Sequence, residues 1–229
     1  DGVSLAVTAG ELYAVIGPNG AGKTTLLGLL AGVLSPDQGT IRLGGADVTH
    51  LPSYRRAAHG IARSFQITSI FPELSVLDNV ALAVQAHTGH SFHFFRAARR
   101  QAALRDPARE ILAQVGLAER AGLRAGNLAH GEKRALEIAI ALAARPQLLL
   151  LDEPMAGMGP EDSARMVQFL ATLKGRYTIL LVEHDMDAVF ALADRVTVLV
   201  YGRIIATGTP QAIGNNEEVR RAYLGEEAA

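Results

Sequence analysis

The chain contains no cysteine. A disulfide framework and thiolate metal sites are therefore excluded, and the composition fits a reducing compartment. It also lacks a charge excess: 22 Lys and Arg stand against 23 Asp and Glu, a formal net charge of -1. No global field of that size attracts nucleic acid or an anionic membrane, so nucleic acid is not an expected partner and any membrane contact must be local. Long hydrophobic runs are missing too. The longest, such as 138–144 and 148–151, end at charges or Pro far short of the roughly 20 residues that span a bilayer. No basic, then apolar leader opens the sequence. The first residue is Asp1 rather than Met, which leads to the expectation that the native N-terminus lies upstream. The 23 glycines and 9 prolines are dispersed rather than gathered into tracts, and there is no internal repeat, which excludes a disordered, collagen-like or low-complexity chain.

What is present is 229 residues, 49% of them hydrophobic, enough for one large domain or a core carrying an inserted subdomain. Short β-rich runs alternate with helical patterns, as in a parallel sheet covered by helices. Strands are expected at 12–16, 61–65, 148–152, 178–182 and 195–200. Several are nearly continuous apolar runs, as strands buried on both faces should be. Between Gln66 and Arg145 the pattern changes. The stretches 76–85, 95–115 and 132–144 read as helices, with Gly116 and Asn127 as loop residues beside them. The tail at 210–224 reads as one short helix before an acidic end.

Gly17-Pro18-Asn19-Gly20-Ala21-Gly22-Lys23-Thr24 matches the pattern G-x-x-x-x-G-K-[S/T], and it follows an expected strand and opens an expected helix, the context this motif requires. Glycines at 17, 20 and 22 let backbone N–H groups turn inward around an anion with no Cβ in the way, and the helix N-terminus adds partial positive charge. Lys23 is placed to neutralise β- and γ-phosphates, and the Thr24 hydroxyl to ligate magnesium. Leu148 to Pro154 supplies a complementary element: an apolar strand ending in Asp152, able to hold magnesium through water, and Glu153, placed to polarise an attacking water. His184 follows the strand at 178–182 and is either a surface histidine or a group reaching a γ-phosphate. Gln66, after the strand at 61–65, is either solvated or available to magnesium and water.

Asn127-Leu128-Ala129-His130-Gly131-Glu132-Lys133-Arg134 resembles the signature loop of the ABC transporter ATPases. The order glycine-rich loop, Gln66, signature, Asp152-Glu153, His184 follows that family over nearly the whole chain. The resemblance implies an α/β fold: a P-loop NTPase core with a parallel sheet and an inserted α-helical subdomain. It divides the chain into a nucleotide-binding core (1–66 and 146–209), a helical signature subdomain (67–145) and a C-terminal helix and tail (210–229). It implies ATP held by Gly17, Pro18, Asn19, Gly20, Ala21, Gly22, Lys23, Thr24 and Thr25, and Mg2+ held through Thr24, Gln66 and Asp152. Glu153, His184 and Lys23 become the catalytic groups, with His184 as the switch histidine. Leu128, Ala129, His130 and Gly131 would face the γ-phosphate of ATP bound to a second ATPase chain, identical or homologous. Permease subunits that cross the membrane are implied as direct partners, a periplasmic binding protein as an indirect one, and the cytoplasmic face of the inner membrane as the location.

Three departures from the family pattern stand out. Its usual Leu-Ser-Gly-Gly-Gln is altered by Ala129, His130 and Glu132, so the serine hydroxyl is absent and backbone N–H groups must take over that contact. Gly159 replaces an aspartate expected after Met158. The aromatic residue that stacks on adenine is expected before Asp1, with a first strand; Tyr13, inside the strand at 12–16, is not given that role. The signature, the stretch Glu153 to Pro160, the run Glu183-His184-Asp185-Met186 and the ending Arg221-Ala222-Tyr223-Leu224-Gly225 resemble the G-type ATPase of branched-chain amino acid importers. The lipopolysaccharide exporter ATPase and soluble non-transport ABC ATPases are the alternatives. A small-molecule P-loop kinase would need an acceptor site, for which no residues are found. Arg96, Arg99, Arg100, Arg105 and Arg109 read as a solvated helix face, and His87, His90 and His93 as loop residues with no metal spacing. Phe71 is left open between core filling and a partner contact.

Overall fold

The computed structural model describes residues 2–64, 70–88 and 102–224. In chain order the elements are β1 (Leu12–Ile16), α1 (Lys23–Ala31), β2 (Arg42–Leu43), β3 (Ala46–Asp47), α2 (Ser53–Ala58), β4 (Ile61–Arg63), α3 (Val76–Thr88), α4 (Ala102–Gln114) and α5 (His130–Ala143). There follow β5 (Leu148–Asp152), α6 (Pro160–Leu173), β6 (Thr178–Val182), α7 (Met186–Leu192), β7 (Arg195–Val200), β8 (Arg203–Gly208), α8 (Pro210–Gly214) and α9 (Glu217–Leu224).

The main sheet runs in the order β4-β5-β6-β1-β7-β8. Its first five strands are parallel neighbours, and β8 returns antiparallel along β7 through a tight turn. Alternating side chains of the central strands enter two separate cores, as a sheet covered on both faces requires. Leu12, Ala14, Ile16, Leu149, Leu151, Ile179 and Leu181 pack with α3 to α7. Tyr13, Val15, Leu150, Leu180 and Val182 face α1 and the segment carrying Val3, Leu5 and Val7. Tyr13 is buried, and its hydroxyl is hydrogen-bonded to Thr197 Oγ1 at 2.5 Å while Arg195 lies 5.0 Å from its ring centre. It is a core residue, as its place in the strand implies.

Between Ile70 and Arg145 the described residues form helices and turns and no strand. The helix expected at 95–115 is described from Ala102 to Gln114, and Phe95 lies outside the described residues. The helix expected from Glu132 begins two residues earlier, at His130, because the Glu132 carboxylate reaches back to accept from Ala129 N at 3.0 Å and fastens the first turn. The strand expected at 61–65 is β4, which ends at Arg63, and Phe65 is outside the described residues. The tail is two helices rather than one. Thr209 caps the first by accepting from Ala212 N, and Asn216 begins the second by accepting from Glu218 N and Val219 N, so the chain turns between them.

Candidate functional site

Three consecutive strands of the sheet, β5, β6 and β1, are parallel neighbours. Their C-terminal ends therefore lie side by side, the edge at which open α/β sheets place their ligands. Onto it emerge the glycine-rich loop after β1, Asp152 at the end of β5 with Glu153 next to it, and His184 after β6.

The loop after β1 is shaped by contacts that only glycine permits. A Cβ on Gly17 would stand 2.0 Å from Leu199 O, so no side chain fits there. Gly202 N donates to Ala21 O at 2.8 Å and anchors the β7–β8 turn against the loop. Gly22, at φ 101, is the residue from which α1 departs. Asn19, Gly20, Thr24 and Thr25 are exposed, Pro18 half-buried, and Ala21 buried. Lys23 is 7% exposed and folds back over the loop, its Nζ donating to Gly17 O at 2.6 Å and Pro18 O at 2.9 Å.

Asp152 is buried at the end of β5. Its Oδ2 accepts from Arg63 at 2.8 Å, while Oδ1 is buried without a partner. A buried carboxylate oxygen left open at a strand end and an exposed threonine hydroxyl at a helix start are the oxygen donors that Mg2+ takes, so Asp152 and Thr24 fit that ion by their chemistry. Glu153 follows at φ 47, a left-handed conformation held by Glu153 N donating to Val182 O at 2.8 Å. Such strain in a residue other than glycine persists only where the surroundings impose it, and it collects at functional sites. The exposed His184 lies with Nδ1 3.9 Å from Glu153 Oε1 and 3.7 Å from Glu183 Oε2.

The first turn of α5 carries the signature residues. Leu128 is buried, Ala129 and His130 are exposed, and Gly131 is half-buried. With Ala129 offering only a methyl group, the early N–H groups of α5 have no helix partner and point outward with the positive end of the helix dipole. His130 Nε2 is hydrogen-bonded with Ala156 O at 3.2 Å, and Gly131 packs against Asp162. Among the described residues no hydrogen bond joins this turn to residues 17–25 of the same chain. Gln66, read as a magnesium ligand, lies outside the described residues.

A model of the ABC transporter family matches residues 1–156, and a model described as branched-chain amino acid ATP-binding cassette transporter matches residues 203–229. The chain belongs to the ABC transporter ATPases. It is 40% identical, over 98% of its length and 91% of the relative's, to the high-affinity branched-chain amino acid transport ATP-binding protein LivG of Escherichia coli (strain K12). It is 38% identical, over 99% and 91%, to BraF of Pseudomonas aeruginosa, a protein of the same description. The crystal structure of an ATP-binding cassette of an ABC transporter in its ADP conformation superposes with a TM-score of 0.85 at 29% identity, covering 98% of this chain and 92% of that one. The chain is thus an ATP-binding, ATP-hydrolysing transporter subunit, and it shares the fold of solved cassettes.

Two groups of this ABC ATPase escaped the reading of its sequence. Arg63 pairs with Asp152 across neighbouring strands, and Glu183 is completely buried beside His184. An arginine in a short strand is a signal for the first. A second acid immediately before His184 is a signal for the other. A surface feature also emerges: a groove of about 210 Å³ lined by Phe71, Asn79, Leu82, Ala83 and Ile140. Asn79 fixes its rim, with Oδ1 accepting from Phe71 N at 2.7 Å and Nδ2 donating to Phe71 O at 3.0 Å. Phe71 is therefore held outward, 58% exposed, which answers the open question about it against core filling. Arg105 pairs with Asp78 and Arg109 with Asp106, each at 2.8 Å. Arg96, Arg99 and Arg100, like His90 and His93, lie outside the described residues. No group of three or more possible metal-ligating side chains occurs among the described residues, and none of their helices is long and apolar enough to cross a membrane.

Proposed function

We propose that this chain powers a branched-chain amino acid importer from the cytoplasmic face of the inner membrane, by closing with a second ATPase chain around ATP. The supporting observation is the adjacency of β5, β6 and β1, which brings Lys23, Asp152, Glu153 and His184 to one edge of the sheet. Residues 1–66 and 146–209 act as the nucleotide-binding core, 67–145 as the helical signature subdomain and 210–229 as the tail. The backbone N–H groups of residues 19–25 and the Lys23 ammonium hold the phosphates, which requires Lys23 to exchange its carbonyl partners for phosphate oxygens. Thr24, Gln66 and Asp152 would hold Mg2+, which when bound neutralises charge on the β- and γ-phosphates. Glu153 orients the attacking water and accepts its proton on a carboxylate oxygen, so that ATP and water yield ADP and phosphate. His184 contacts the γ-phosphate. Leu128, Ala129, His130 and Gly131 present the first turn of α5 to the nucleotide of the partner chain.

The groove at Phe71 and Leu82 receives a segment of the permease, because Phe71, in the stretch between β4 and α3, and Leu82, on α3, both present exposed apolar side chains there. The substrate class rests on the relatives named above and on the match of residues 203–229. The test is reconstitution of the full transporter in vesicles with its permease and its periplasmic binding protein. ATP-driven uptake of labelled leucine is expected. Glu153→Gln should abolish both uptake and hydrolysis while ATP still binds. ATP hydrolysis without branched-chain uptake would overturn the substrate assignment, and undiminished hydrolysis by the variant would overturn the role of Glu153.

A further inference from the structure

Glu183 is a carboxylate with no exposure at all, and among the described residues no Lys or Arg pairs with it. Its partners are backbone N–H groups from two different loops. Oε1 accepts from Met155 N, two residues beyond Glu153, at 3.0 Å. Oε2 accepts from His184 N at 3.0 Å and lies 3.4 Å from Asp185 N. A second link crosses between the same loops, since Glu153 N donates to Val182 O at 2.8 Å. Asp185 then closes the switch loop by capping α7, its Oδ1 accepting from Ala188 N at 3.1 Å. Burying a carboxylate is costly, and a leucine or methionine would fill the same volume without that cost. What neither supplies is two acceptor oxygens aimed in opposite directions.

We propose that Glu183 is a positioning residue, a buried brace that fixes the His184 imidazole relative to Glu153 by tying the loop after β5 to the loop after β6. This rests on the roles given to Glu153 and His184 above. The brace keeps the water-orienting carboxylate and the γ-phosphate contact moving as one unit, and Glu183 itself touches neither nucleotide nor water. Glutamine at this position has one acceptor oxygen and one NH2 group, so it can serve Met155 N or His184 N but not both, and one loop is released while the volume is kept.

The experiment compares E183Q, H184A and the double variant in the reconstituted transporter, measuring kcat, KM for ATP and the thermal midpoint. E183Q should lower kcat about tenfold or more while KM for ATP stays within about twofold, since only the alignment of groups already in place is disturbed. The double variant should be no slower than H184A, because Glu183 acts through His184. A wild-type kcat in E183Q, with H184A slow, overturns the brace alone. So do losses that multiply in the double variant, the mark of a merely structural role. H184A at the wild-type rate overturns the switch assignment, and the brace with it. Should E183Q not fold, E183D carries the same test, because it keeps both oxygens but draws them back by one methylene. The same kcat-specific loss then supports the brace, and an unaltered rate overturns it.

Discussion

Lys23 has its ammonium satisfied by two carbonyls of its own loop, Gly17 O and Pro18 O. Those contacts keep the side chain folded over the loop, so in the proposed role its charge meets a phosphate with little further ordering. Lys23→Ala should weaken ATP binding by about 10- to 100-fold, the worth of a charge-assisted hydrogen bond, as measured by fluorescent nucleotide titration, and wild-type affinity would refute the phosphate role. A different residue contributes to acid stability. Burial alone would raise the Glu11 carboxyl, but Arg195 grips both its oxygens, at 2.8 and 2.9 Å, and Thr8 N donates to it, so the net effect is to hold it below its ordinary 4.5. A depressed carboxylate contributes stability above its unfolded value and loses it as pH falls through the folded one. The gap in urea midpoint between wild type and Glu11→Gln should therefore be present at pH 7 and close as pH falls below the ordinary glutamate range. Lys23, Thr24, Asp152 and Glu153 were singled out in the sequence by a local spacing that matches a phosphate-binding pattern, and the fold brings them to one edge of the sheet. Glu183 was not, because its meaning depends on the N–H of Met155, 28 residues away, and only the pairing of β5 with β6 brings that group to it.

Among the elements, the strands β1, β5, β6 and β7 fall where apolar runs between turn residues place them, since each is buried on both faces and carries an undiluted signal. The strand β8 gave no such signal. It is a partly exposed edge strand, Arg203-Ile204-Ile205-Ala206-Thr207-Gly208, whose partner β7 supplies the pairing that its sequence does not announce. The helix α2 was also unread, being six residues long, yet it fastens a larger element. Arg56 on α2 is 1% exposed and donates to Leu51 O at 2.9 Å, Leu30 O at 2.8 Å, Thr49 O at 2.7 Å and Leu29 O. Two of these acceptors belong to the last turn of α1, so one guanidinium completes the helix end that the phosphate loop begins. Arg56→Leu leaves buried carbonyls unpaired and should cost about 2–4 kcal/mol, read as a lower urea midpoint. Arg56→Lys should recover only part of that, because one ammonium cannot reproduce the fork.

At the scale of the molecule, the phosphate loop, both acids and His184 share one edge of the sheet, while the first turn of α5 is occupied with Ala156 and Asp162. The separation is what a site completed between two chains requires, with each contributing the half that it cannot fold onto itself. That proposed division came only from the resemblance, because nothing in the spacing of Leu128 to Gly131 says which chain's nucleotide they face. A net charge of -1 supplies no long-range field, so on the proposed function nucleotide bridging the halves is what drives association. Hydrolysis by the isolated chain should therefore be second order in protein. At saturating ATP, specific activity should climb as concentration rises through the dimerisation range and then level off. Glu153→Gln, which keeps ATP bound, should shift to a larger species in gel filtration with ATP and not without it. A specific activity independent of concentration over two decades would show that one chain completes the site, and the trans role of Leu128, Ala129, His130 and Gly131 would have to be abandoned.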